Sequence, residues 1–127
     1  MAYVALVVIL ALIEYIVFAS LVGKARGMYG IKAPAISGHD VFERYFRVQQ
    51  NTLEQLIIFI PAIFIFAHYL HAVSAAVIGV FFIVGRAIYA RAYVAEPAKR
   101  GTGMLISFFA NAVLLLGGIV GIVRALM

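Results

Sequence analysis

The stretch Ala2 to Val22, AYVALVVILALIEYIVFASLV, runs for 21 residues with Glu14 as its only ionised side chain. A helix of about 20 apolar residues matches the thickness of a bilayer core, so this segment reads as a membrane span. It lacks a basic leading region, its apolar run is long and Glu14 interrupts it, which together argue against a cleaved signal peptide. The rest of the chain repeats the pattern. Of its 127 residues, 66% are hydrophobic and 12% charged, whereas a soluble domain carries about 25% charged residues. So little charge cannot cover a water-facing surface, and the apolar content is enough for about four spans.

Working outward, residues 24–38 hold Gly23's neighbours Gly27 and Gly30, then Pro34 and Gly38, and read as a loop after helix one. Asp40 with Glu43 three residues on fits a capping box for helix two. That helix starts polar and turns apolar from Leu56 to Leu70, with Pro61 expected to kink it without ending it, because neighbouring helices can satisfy the freed carbonyl. A turn over His68 to Ser74 precedes helix three, at about Ala75 to Ala95. Pro97 stops it, and helix four runs from about Thr102 to Leu126. The expected architecture is an all-α membrane protein, one four-helix bundle over residues 1–127 without a second domain.

Lysine and arginine crowd the first and third connections: Lys24, Arg26, Lys32, Arg44 and Arg47 at one, Arg91, Lys99 and Arg100 at the other. The second connection has none. Positive loops stay on the cytoplasmic side, so both termini are expected to face away from the cytoplasm, as in a bacterial inner membrane or its equivalent. The net charge of +5 is spread among apolar segments and offers no stripe for a phosphate backbone, which argues against nucleic acid. The chain has no cysteine, hence no disulfide and no thiol nucleophile of its own. Any sulfur chemistry must use a substrate's sulfur.

Arg47, Asn51 and Glu54 fall at i, i+4 and i+7, within about 60° of one another on helix two. Arg86, Tyr89, Tyr93 and Arg100 share a second stripe if helix three stays regular past Pro97. An unpaired charge in hydrocarbon costs at least about 2.5 kcal/mol, so such stripes face a partner or a wet cavity. Pairing that merely holds the bundle together competes on equal terms with a binding role. Arginines suit carboxylates, Glu54 an ammonium, and Asn51 and Gln49 peptide amides. A small zwitterionic peptide with two carboxylates fits that inventory, and glutathione is one that brings a thiol. His68 and His71 at i and i+3 could ligate a metal, but no carboxylate lies nearby in sequence and an interfacial position explains them more simply, so no metal is expected. Gly117 and Gly121 form a G-x-x-x-G step suited to close helix packing.

The run Phe42-Glu43-Arg44-Tyr45-Phe46-Arg47-Val48-Gln49-Gln50-Asn51-Thr52-Leu53-Glu54 resembles the E-R-x-x-R-x-x-x-N-x-x-E signature of the MAPEG family, the membrane-associated proteins in eicosanoid and glutathione metabolism. Gly85 to Tyr93, followed by Arg100, is similar to that family's third helix. The resemblance spans the chain and is nearest to the microsomal glutathione transferases. It implies a homotrimer of four-helix subunits with glutathione as co-substrate between neighbouring subunits. It further implies that Arg26, Arg47, Gln49, Asn51, Glu54, Tyr89 and Tyr93 hold glutathione, and that Arg100, assisted by Tyr93, stabilises its thiolate for attack on a hydrophobic electrophile or a lipid hydroperoxide. Gln55 stands where relatives often have an aromatic residue, and Gly27 where the leukotriene synthase has a second arginine. A non-catalytic lipid-binding relative and a small proton-coupled multidrug exporter are the competing classes. The retained polar residues weigh against the first, and the arginines, which repel cationic drugs, against the second.

Overall fold

A helix that is apolar on every side has no single preferred face in lipid, so its packing is set by small residues and by whichever polar groups demand partners. The computed structural model, which describes residues 1–127, follows that rule with four long helices: α1 Ala2–Tyr29, α2 Asp40–Tyr69, α3 Ala72–Ala95 and α4 Gly101–Leu126, with a 3-10 turn at Pro97–Lys99. All four are long and apolar enough to cross a membrane. α2 touches each of the others, α4 packs chiefly on α3, and α1 lies against α2 and α3. Leu6, Ile9, Ile13 and Ile16 of α1 point outward, while Val4, Val8, Ala11, Phe18, Val22 and Ala25 form its buried stripe. In the centre, Phe59 and Phe82 stack at 4.1 Å between ring centroids.

Two boundaries and one cap differ from the sequence reading. Helix one does not stop at Val22 but continues through Lys24 and Arg26 to Tyr29, ending where Gly30 adopts φ 68 and its N–H returns to the Arg26 carbonyl. Glycine within a helix costs only about 1 kcal/mol, and burial of Val22 and Ala25 against Phe42 offsets it. At 1.5 Å per residue the 28-residue helix is about 42 Å long, so its last turns stand clear of the hydrocarbon. The connection is therefore shorter, residues 30–39. Helix two begins as expected, but His39 caps it, its Nδ1 accepting from the Val41 N–H, while Glu43 accepts from Gly38. The imidazole also stacks on Tyr29 at 3.8 Å, which holds it in the capping position. The turn before helix three shrinks to Leu70 and His71, because His71 caps α3 by accepting from the Ser74 N–H.

Pro61 lies inside α2, which continues to Tyr69. α4 approaches its neighbours through glycine. A Cβ on Gly103 would meet the Tyr89 main chain, and one on Gly117 or Gly121 would meet Phe66 or Tyr69. The G-x-x-x-G step thus brings α4 onto α2.

Candidate functional site

The register of α2 sorts its polar residues into three directions. Phe42, Val48, Thr52, Leu56, Phe59 and Ile63 are buried and set the core face. Arg47 and Glu54 stand on the outside, exposed, with no ion pair or hydrogen bond to any other residue of the chain. Between these directions, Asn51 turns toward α3 and its Nδ2 donates to the Tyr89 hydroxyl at 2.6 Å. Tyr93 lies one turn further along α3, its ring 5.5 Å from that of Tyr89. Arg47, Asn51, Glu54, Tyr89 and Tyr93 thus form one neighbourhood. Arg47 also borders a cleft of about 310 Å³ beneath the first loop, shared with Ile36, Ser37, Glu43 and Phe46.

The other residues expected at the site lie elsewhere. Gln49 follows Arg47 by two residues, about 200° around the helix, and its Nε2 donates to the Tyr15 hydroxyl of α1 at 3.2 Å. Arg26 closes α1, donating through Nη1 to the Ala35 carbonyl at 2.6 Å with its guanidinium 5.0 Å from the Phe42 ring centroid. Arg100 is not on the α3 stripe. That helix ends at Ala95, a 3-10 turn intervenes at Pro97, and Arg100 is exposed with Nη1 donating to the Pro97 carbonyl at 2.9 Å. Proline can neither donate to the preceding turn nor fit a helix interior, so the regular continuation fails there.

Arg86 meets the first of the two expected fates, a partner and not a wet cavity: it lies inside the bundle, 2% exposed. Its Nε and Nη2 donate to Thr52 Oγ1 at 3.3 and 3.1 Å, and its Nη1 to Ser107 Oγ at 3.3 Å. The guanidinium also sits 4.1 Å from the Tyr89 ring centroid. Below this knot, Asn111 Nδ2 donates to Gln55 Oε1 at 3.0 Å, tying α4 to α2. Gln55 is therefore turned away from the outer face that carries Glu54. Glu14 adds a buried oxygen without a hydrogen bond, near enough for the charge of Arg86 to act on it but not within 4.0 Å. Sequence reasoning missed Thr52, Ser107 and Asn111. The available signal was the i, i+4 spacing of Ser107 and Asn111 in an otherwise apolar helix.

Comparison with known proteins decides among families that share four spans. The profile of the MAPEG family matches residues 4–120. The chain belongs to the MAPEG family. It is 38% identical over 123 residues to human microsomal glutathione S-transferase 2, covering 97% of this chain and 84% of that protein. An uncharacterized protein of Synechocystis is 39% identical over 118 residues, 93% of this chain and 86% of its own length. Rat leukotriene C4 synthase is 29% identical over 99 residues, 78% and 66% respectively. Within this MAPEG chain, all the helix-two residues of the signature from Glu43 to Glu54 lie in one unbroken helix.

Proposed function

We propose that this MAPEG chain is a membrane-bound glutathione transferase that ionises the glutathione thiol and directs it at hydrophobic electrophiles. The observation that carries the reading is the unpaired state of Arg47 and Glu54 on the outside of a membrane-spanning helix. Charges at such a place need a ligand or a second copy. The orientation of Gln49 supports both at once. Gln49 and Arg47 point to opposite sides of α2, so one small peptide can meet both only where two copies adjoin. A homotrimer with the peptide between subunits satisfies this. Arg47, Asn51, Glu54, Tyr89 and Tyr93 then come from one copy, and Arg26 and Gln49 from its neighbour.

Arg47 would grip a glutathione carboxylate and Glu54 its ammonium, with Asn51 and Gln49 on the peptide amides. A thiol of pKa about 8.5 is only a few per cent thiolate at neutral pH. Each unit of downward shift requires about 1.4 kcal/mol of preference for the anion, which a cation and a hydroxyl donor can supply. Arg100 and Tyr93 fill those roles, Arg100 by swinging its guanidinium from the Pro97 carbonyl toward the sulfur. The thiolate attacks the electrophilic carbon, a C–S bond forms and the displaced electron pair leaves with its group. With a lipid hydroperoxide the thiolate takes the terminal oxygen as the O–O bond breaks, the alkoxide leaves as the alcohol on protonation, and a second glutathione thiol attacks the resulting sulfenic acid to give the disulfide and water. The basic connections support a cytoplasmic face for this chemistry.

Ultraviolet absorbance of a thiolate on adding glutathione to purified protein at neutral pH tests binding and activation together. A signal supports the transferase; binding without it, or no binding, leaves the lipid-binding relative as the better description.

A further inference from the structure

A groove runs along the outside of the subunit between α1 and α3, on the opposite side of α2 from Arg47 and Glu54. Its volume is about 400 Å³, and Phe18 and Leu21 of α1, Tyr45 and Val48 of α2, and Ala87, Ala90 and Val94 of α3 line it, with Arg91 as the one charged member. A second hollow of about 140 Å³ shares Leu21 and Tyr45 with it and adds Lys24. The two form a continuous apolar trough with a cation on each wall. Arg91 and Lys24 are exposed, neither makes an ion pair or a hydrogen bond, and no acidic residue lines either hollow. Arg44, by contrast, is spent on structure: its Nη1 donates to the Val94 carbonyl at 3.1 Å and ties α2 to α3 beside the groove.

We infer that this trough is a binding site for an anionic phospholipid, one acyl chain lying in the apolar groove and the phosphate bridged by Arg91 and Lys24. The shape and the charge each point to this occupant. Alanine at positions 87 and 90 leaves the wall of α3 low, so a chain of methylenes can lie against the helix backbone. Both cations sit toward the end of the bundle that carries the basic connections, where the headgroups of one leaflet lie. Lysine and arginine side chains near a helix end reach the interface in this way, and each such residue near an anionic membrane surface strengthens attachment about fivefold. The trough shares the side of α2 that carries Gln49, but none of its lining residues is among those assigned to glutathione, so its standing does not depend on the proposed reaction.

The whole chain in nanodiscs containing both phosphatidylglycerol and phosphatidylcholine is the test, with retained lipid counted by native mass spectrometry. Wild type should hold phosphatidylglycerol roughly 25-fold more strongly than phosphatidylcholine, the product of two cations at about fivefold each. The double variant Lys24→Gln, Arg91→Gln should retain the two lipids equally. Equal retention by wild type overturns the proposal, and so does an unchanged preference in the double variant. Ala87→Phe, which fills the groove while keeping both charges, should release the lipid without altering the oligomeric state. If that variant instead breaks the assembly, the groove belongs to another copy and the lipid site is wrong. Glycerol phosphate, a headgroup without chains, should leave the melting temperature unchanged; stabilisation equal to that from phosphatidylglycerol would show that the groove plays no part.

Discussion

The polar residues of this bundle fall into two regions with opposite bookkeeping. Inside, Arg86 is surrounded by Thr52, Ser107 and the ring of Tyr89, and Asn111 meets Gln55. Outside, Arg47 and Glu54 lie less than two helical turns apart and meet nothing within their own chain. Both regions put charge into a membrane span, yet only in the first does the guanidinium meet partners within the chain, with Asn111 Oδ1 and one Glu14 oxygen left unpartnered beside it. Interior polar groups that find their partners locally hold the helices in register, whereas charges that remain open are available to something else. A polar residue in a membrane helix is thus assigned to structure or to binding by its partners more than by its type.

The contrast is broken most severely at Arg86. Arg86→Ala would leave Thr52 without its partner and open a cavity where α2, α3 and α4 meet, although Ser107 keeps its bonds to the Gly103 and Met104 carbonyls, so a loss of about 3–5 kcal/mol is expected, read as a collapse of the melting temperature in detergent. If the variant melts like wild type, the interior knot is not structural. Gly103→Ala addresses the same region through packing: its Cβ would press on the Tyr89 main chain, and about 1–3 kcal/mol should be lost in the same assay. The outer region should behave in the opposite way. Arg47→Ala and Glu54→Gln are expected to leave the melting point nearly unchanged while weakening glutathione binding by calorimetry about tenfold or more, the value of a hydrogen bond to a charged group. Tight binding by both would assign the stripe to assembly alone.

Arg100→Ala sharpens the division further, because its effect belongs to the reacting state. Removing a cation that favours the thiolate raises the bound thiol's pKa, so turnover at neutral pH should fall about tenfold per unit and recover in part as the pH rises, with glutathione affinity changing less. Superimposable pH profiles for wild type and variant would remove Arg100 from the chemistry. Smallest of all is Glu96→Gln, which breaks the exposed Glu96–Lys99 pair, the only ion pair in the chain. A change under about 0.5 kcal/mol is expected, since water screens both partners.

The number of spans, their order and the polar stripe of α2 are all legible in the sequence, because bilayer thickness and helical periodicity act on each segment by itself. Lys24 and Arg26 looked like loop residues since hydropathy marks the edge of the hydrocarbon, and a helix is free to continue past it. Arg86 shares a stripe with Tyr89 and Tyr93, which leaves structure and binding equally open; its assignment to the interior depends on Thr52 and Ser107, which come from two other helices. Gln49 was grouped with Arg47 by chemistry, although the two diverge around the helix. For Arg86 the missing information was a contact between segments, which no single helix encodes, whereas the separation of Gln49 from Arg47 follows from the helical period itself.

The turn between α2 and α3 is only Leu70 and His71, with neither lysine nor arginine. So short a link makes the two helices a hairpin suited to entering the bilayer as one piece, with no lysine or arginine at its tip. Insertion then explains why the most polar span can be accommodated at all. Asn51 and Thr52 reach Tyr89 and Arg86 across the hairpin, so the burden of carrying polar groups through lipid is shared between neighbours that arrive together. α1 and α4, which flank this unit in the chain, are apolar enough to enter alone and close around it afterwards.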